Sequence, residues 1–342
     1  MRPAPFRLSI LDQSPVSEGS NGAQALANSL DLSRAAEALG YYRYWVAEHH
    51  GTPMLACASP EALIGPIGAL TARIRIGSGG VMLPHYSPLK VAETFSMLSG
   101  LFRGRIDLAV GRAPGTDATT MYALQRDRRT AAPDDFPEQL DELLAYLGHS
   151  LPDRHPFARL GALPGRPGCP DPWLLGSSPQ SGFWAAERGL PYAFADFINP
   201  EGAECAERYR ASFAPSAWRQ MPEVIVAVWV VCADTDEEAE RLATSATMAF
   251  KLLQKGELIA VPPVERAIRF LENDRRQPPQ PLPMGGRKRR RVVGSPARVR
   301  AGIEDVVREY GAAEAMLVTI TFDHDARRRS YELIARAFEL KD

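Results

Sequence analysis

Along most of this chain, short apolar runs alternate with stretches whose apolar residues return every three or four positions. FRLSILD (6–12), YYRYWVAE (41–48), RIRIGSGGVML (73–83) and RIDLAVG (105–111) read as strands. WLLG (173–176), PYAFADF (191–197), EVIVAVWVVCAD (223–234) and AMLVTIT (315–321) continue the series. Between them the period lengthens to that of a helix. Residues 24–39 carry Leu26, Leu30 and Leu39 among alanines, with Gly40 where a helix C-cap belongs. Ser59 with Pro60, and Ser87 with Pro88, each put proline behind an N-cap residue. After them, Leu63, Ile67 and Leu70, then Val91, Phe95 and Leu98, form stripes suited to burial. Further helices are predicted near 138–147, 179–188, 201–213, 236–253, 296–310 and 326–340. Segments 112–137 and 149–172 read as long loops, and 254–291 is an ambiguous Pro-rich and basic stretch.

Eight strands with helices between most of them imply parallel pairing, because each helical crossover returns the chain to the same end of the sheet. The expected architecture is a (β/α)8 TIM barrel with insertions in the βα loops, a doubly wound open sheet being the alternative. No linker or internal repeat divides the sequence, so residues 1–342 are expected to form one domain. Composition adds mainly exclusions. With 45% hydrophobic and 24% charged residues the chain is ordinary for a soluble protein. A net charge of -1 gives no pull toward nucleic acid or an anionic membrane. No apolar run approaches the ~18 residues of a transmembrane helix. The N-terminus lacks a secretory signal pattern. Four scattered cysteines (57, 169, 205, 232) show neither a C-x-x-C pair nor zinc-ligand spacing, which suits a cytoplasmic protein with reduced thiols and no metal.

In such a barrel, chemistry belongs at the C-terminal ends of the strands. Four places there carry suitable groups. The second strand ends in Glu48, His49 and His50, where alternation puts Glu48 and His50 on one face and His49 on the other. Ser177, Ser178 and Ser181 surround the start of a helix opened by Pro179, whose first N–H groups lack intrahelical acceptors; this can cradle a phosphate, or Ser178 is simply an N-cap. Arg112 stands past a strand end in a Gly/Pro-rich turn and can bind phosphate in a bidentate fashion, or lie free on the surface. Gly77, Gly79 and Gly80 inside a strand mark either a close approach of backbone to a flat ligand or a β-bulge.

Taken together, EHH (48–50), RIRIGSGGVMLPHYSPLKVAE (73–93), GRIDLAVGRAPGTD (104–117) and LLGSSPQSGFWAAERGLPYAFADF (174–197) resemble the bacterial-luciferase-like flavin monooxygenases, in particular a single-chain subgroup. The resemblance runs from the first strand through VVGSPARVRAGIEDVV (292–307) to the last helix. It implies a barrel that binds reduced FMN and uses O2 to oxygenate a small organic substrate. On the same ground His49 is the catalytic base beside the flavin ring, with His50 its neighbour in the site. Gly79 and Gly80 correspond to a pair joined by a non-proline cis peptide under the ring. Arg112, Ser177, Ser178 and Ser181 correspond to the phosphate site. The long loops would exclude water. A separate NAD(P)H-dependent flavin reductase as partner is implied too, no dinucleotide fingerprint being visible, and so is a homodimer through the helices after the second and third strands. Two positions depart from luciferases proper: Ser177 replaces an acidic residue and Gly111 a reactive cysteine, so neither light emission nor an aldehyde substrate is implied.

Weaker signals lead elsewhere. Ser87-Pro-Leu-Lys90 matches S-x-x-K without its companion boxes. RKRRR (287–291) stands without any nucleic-acid-binding motif and reads as a surface loop. His85, His149, His155 and His324 lack partners at informative spacing. The rival functions are a deazaflavin-dependent hydride-transfer enzyme, a non-catalytic flavin-binding barrel, and a phosphosugar enzyme using the same anion cradle.

Overall fold

The computed structural model describes residues 6–112, 117–125, 127–130, 134–160, 165, 167–275 and 290–340. Its strands are β1 (Arg7–Asp12), β2 (Arg43–Val46), β3 (Arg75–Met82), β4 (Ile106–Gly111), β5 (Asp171–Gly176), β6 (Tyr192–Ala195), β7 (Val224–Cys232), β8 (Val292–Gly294) and β9 (Glu314–Val318). The helices are α1 (Gly22–Ala38), α2 (Pro60–Leu70), α3 (Pro88–Leu101), α4 (Ala118–Leu124), α5 (Phe136–Gly148), α6 (Pro179–Glu187), α7 (Ala203–Ala211), α8 (Asp236–Gln254), α9 (Val264–Arg275), α10 (Pro296–Tyr310) and α11 (His324–Ala337). No helix among the described residues is long and apolar enough to cross a membrane.

Strands β1 to β7 and β9 form a closed parallel ring, sealed by the β6–β7, β7–β9 and β9–β1 pairings. This is the (β/α)8 barrel, and its eight strands are those the sequence pattern marks. The ninth strand, β8, is an addition: it pairs with Val230–Cys232, just where β9 leaves β7. Helix starts follow the cap-then-proline signal. Ser59, Ser87, Ser178 and Ser295 are N-caps, each followed by proline. Gly40, with φ of 83°, takes the left-handed turn after α1.

Alternation along each strand sorts the core into two layers. In β7, Val224, Val226, Val228 and Val230 face the helices, while Ile225, Ala227, Trp229 and Val231 face the barrel axis. Toward the N-terminal end the interior is filled by large and charged side chains. Buried Arg43 pairs with Asp107 (2.8 Å) and Glu314 (2.7 Å) and lies over the Trp173 ring at 4.8 Å. Trp45 Nε1 donates to the same Asp107 carboxylate (2.8 Å). Toward the C-terminal mouth the cavity wall includes Ala47, Gly79, Gly111, Ala193 and Ala227, whose small size leaves it hollow.

Several expectations are corrected. The stretch 112–137 contains α4 and the start of α5, 149–172 contains a 3-10 turn at Ala158–Leu160, and 254–291 contains α9. Residues 113–116, 126, 131–133, 161–164, 166 and 276–289 of these stretches lie outside the described residues. Leu70, assigned to a buried stripe, is 47% exposed, because the buried face runs through Leu63, Ile64, Ile67 and Gly68 to Thr71 and leaves position 70 beside it. Of the run RKRRR, residues 287–289 lie outside the described residues. Arg290 pairs with Asp196 and Glu309, and Arg291 with Glu240, so this part is committed to ion pairs within the fold.

Candidate active site

A cavity of about 440 Å³ opens at the C-terminal mouth, within the ~300–1,000 Å³ range of small-molecule sites. Its wall includes His49, Gly79, Arg112, Ser177, Ser178 and Ser181, six of the eight residues singled out from sequence. Gly80, the chain neighbour of Gly79, does not itself line the cavity. His50 faces a second cavity of about 450 Å³, lined by Thr52, Met54, Leu55, Phe250, Leu253 and Ile259 among others. His49, Gln13, Phe197 and Ile198 line both cavities and so form the partition between them.

The phosphate end of the first cavity is built by the β5–α6 turn. Ser178 caps α6 by backbone geometry only; its side chain makes no cap hydrogen bond. The first N–H groups of α6 therefore keep their hydrogen-bonding capacity at the positive end of the helix. Ser181 differs from its neighbours. It is buried, its hydroxyl donates to the Ser178 carbonyl (2.8 Å) and it shares a second bond with the Tyr192 hydroxyl (2.8 Å). It shapes the loop, leaving Ser177 and Ser178 closer to the role of anion donors. Asn199 fixes the turn from outside by donating to the Ser177 carbonyl (2.9 Å). Arg112 lies over the indole of Trp184 at 5.2 Å, and both line the cavity.

The glycines of β3 do two things at once. The β3–β4 register shifts between Gly79 and Val81, a bulge, and the Gly79–Gly80 peptide is cis. A Cβ on Gly79 would fall 2.5 Å from Leu11 Cδ1, and one on Gly80 would fall 2.8 Å from the Ala109 carbonyl oxygen. Only backbone fits there, so the cavity has a flat wall at this strand.

The two histidines have different surroundings. β2 ends at Val46, so Glu48 and His50 meet beyond the strand, not by strand alternation. The Glu48 carboxyl is buried and accepts from His50 Nε2 (2.8 Å), Tyr86 hydroxyl (2.8 Å) and the Met82 N–H (3.0 Å). Burial, then the Glu48 charge, hold the Tyr86 hydroxyl well above its usual range, so it remains a donor. His85 packs edge-on against His50, with centroids 6.2 Å apart. His49 has no such carboxylate. Its Nδ1 is buried without a hydrogen-bond partner, and burial followed by the charge of His50 lowers its pKa to about 4. At neutral pH it is an uncharged imidazole beside the cavity, able to accept or donate a proton.

Sequence reasoning missed Glu48 as the hub of this cluster, along with Tyr86, His85, Gln13 and Trp184. The HYSP stretch after β3 was the available signal, since it follows a strand end, but its partners lie on another strand. The other histidines have local duties: His324 pairs with Asp31 (2.9 Å), and His149 takes the left-handed position ending α5.

Comparison with known proteins gives a consistent outcome. A family model described as luciferase-like monooxygenase matches residues 6–314. The N-acetyl-S-alkylcysteine monooxygenase of Bacillus subtilis (strain 168) is 41% identical over 268 residues, covering 78% of this chain and 80% of its own. The crystal structure of apo-MsnO8 matches with a TM-score of 0.86 and 40% identity over 98% of both chains. The FMN complex of the oxygenating constituent of 3,6-diketocamphane monooxygenase, a type II Baeyer-Villiger monooxygenase from the CAM plasmid of Pseudomonas putida, matches with a TM-score of 0.70 and 19% identity over 97% of both chains. At that identity the likeness is one of fold.

Proposed function

We propose, from the premise that this chain belongs to the luciferase-like monooxygenase family, that it binds reduced FMN in the first cavity and uses it with O2 to oxygenate a small organic substrate. One observation carries the reading: Arg112, Ser177, Ser178, Gly79 and His49, drawn from four separate strand ends, line a single cavity. The residues fit the group. Arg112 and the head of α6 would hold the phosphate, a cation and a row of N–H donors acting on one dianion. The backbone of Gly79 would lie against the ring, where no side chain intervenes. The unpartnered Nδ1 of His49 supplies a hydrogen-bonding atom otherwise left unsatisfied. When bound, reduced FMN supplies the electrons that let one atom of O2 enter the product while the other leaves as water.

In this site His49, neutral because it is buried, would hold or move a proton beside a bound flavin. Glu48 fixes the ring of His50 and keeps that second imidazole apart from the flavin cavity. Reduced flavin would come from a separate NAD(P)H-dependent reductase. A homodimer through α2 and α3 accords with Leu70, Met97 and Leu101, which are 47%, 60% and 71% exposed. Sedimentation of Leu101→Asp as a monomer, against a dimeric parent, tests it.

The decisive experiment is anaerobic titration with oxidised FMN, reduced FMN and a reduced deazaflavin, followed by admission of O2 with absorbance recorded. Retention of reduced FMN, with O2 consumption that His49→Ala slows, supports the reading. Retention of the deazaflavin alone, without O2 consumption, points to hydride transfer instead. Unchanged turnover in His49→Ala removes the catalytic role of that residue, and absence of any flavin affinity favours a phosphosugar ligand.

A further inference from the structure

The second cavity has no task in holding a flavin. Resting on the flavin reading above, we propose that it is the substrate chamber and that it admits a largely apolar molecule bearing no negative charge.

The two cavities share His49 as a wall, so a molecule in the second ends beside the ring that the first is shaped to hold. Its sides are hydrocarbon and aromatic: Met54 and Leu55 after β2, Phe250 and Leu253 near the end of α8, and Ile259 beyond it. Glu257 stands on its wall, as does Asp117, whose carboxylate accepts from Thr119 and Thr120 at the head of α4, and among the described residues no lysine or arginine lines it. Lys255 is close in sequence but is drawn to Asp274 (3.6 Å) and over the ring of Phe270 (6.0 Å), both on α9. The histidines do not reverse the balance. His49 is neutral, and His50 is paired with Glu48. An anion entering here would give up hydration to apolar walls and meet the like charge of Glu257. An uncharged chain meets neither cost and places its polar end toward Gln13 and His49.

Calorimetric titration with octan-1-ol and octanoate at neutral pH, on protein with and without FMN, tests the proposal. Octan-1-ol is expected to bind at least ~10-fold tighter than octanoate, the scale set by two like charges near a protein surface. Leu253→Trp, which fills the chamber from its rim, should weaken octan-1-ol by ~10-fold and leave FMN affinity unchanged. Glu257→Lys, at an exposed position, should narrow the gap between the two probes. Octanoate binding as tightly as the alcohol, alcohol binding indifferent to Leu253→Trp, or no alcohol binding at all, overturns the proposal. Failure to retain FMN while the alcohol still binds would instead count against the flavin reading alone.

Discussion

Acidification from pH 7 to pH 5 should charge His49 readily in the unfolded chain but hardly at all in the folded one. The ordinary imidazole value is 6.5, and burial with the nearby His50 charge lowers the folded value to about 4. A group depressed on folding stabilises fully above its unfolded pKa, and that stability is lost as pH falls toward the folded one. The window here therefore runs from about pH 6.5 down to about pH 4. At ~1.36 kcal/mol per pKa unit the whole window amounts to ~3 kcal/mol, of which up to ~2 kcal/mol falls between pH 7 and pH 5. Urea denaturation followed by tryptophan fluorescence at both pH values, for the parent and for His49→Asn, isolates this contribution as a difference. The parent should lose up to ~2 kcal/mol more than the variant on acidification. Histidine proton resonances give the direct check, since the His49 signal should stay constant until well below pH 6. In His50→Gln the smaller cause is removed, so the His49 value should rise yet remain below 6.5, burial being the larger cause. An imidazole that titrates near 6.5 in the folded parent, or identical acid sensitivity in parent and His49→Asn, refutes the reasoning.

Arg112→Ala should weaken FMN by ~10- to 150-fold, the equivalent of losing a hydrogen bond to a charged group, while riboflavin, which lacks the phosphate, binds as before. Flavin fluorescence quenching reads both. Gly80→Ala should cost ~1–3 kcal/mol and lower the melting temperature by several degrees, because its methyl group would sit 2.6 Å from Leu175 Cδ2 and 2.8 Å from the Ala109 oxygen; a neutral substitution would mean the strand yields easily. Arg43→Met should cost ~3–5 kcal/mol in urea denaturation, since it takes the ion partner from the buried carboxylate of Glu314 and one of two arginines from Asp107, which keeps Arg75. Loss of less than 1 kcal/mol would show that water reaches these groups, a figure at the level of ~0–1 kcal/mol typical of surface pairs.

What the sequence disclosed and what it hid divide along a physical line. The barrel was legible because its signals are local. β-rich runs, the Ser-Pro openings of α2 and α3, and Gly40 closing α1 each depend on neighbours a few positions away. The amphipathic pattern of α9 was local too, but proline-rich sequence on both sides masked its ends. β8 is three residues long and owes its pairing to the free end of β7, which nothing in VVG announces. The ion cluster under the cavity joins Arg43 on β2, Asp107 at β4 and Glu314 on β9, and only ring closure brings these together. The same is true of Glu48 with Tyr86.

The hollow itself follows from a pattern that could have been read but was not. On the inward faces of β2 and β4, large residues come first and small ones after: Arg43 and Trp45 precede Ala47, and Asp107 precedes Gly111, while on β7 Ala227 opens a gap between Ile225 and Trp229. These strands all enter at the same end, so on that side of the barrel filled volume lies below and open volume above. A barrel with the order reversed would have its floor where this one has its mouth, and the histidines after β2 would face packed side chains. Position along the strand thus matters as much as residue type. The candidate base, anion donors and glycines at the ends of β2, β3, β4 and β5 converge on open space because the alanines and glycines beneath them withhold the volume that tryptophan and arginine occupy lower down.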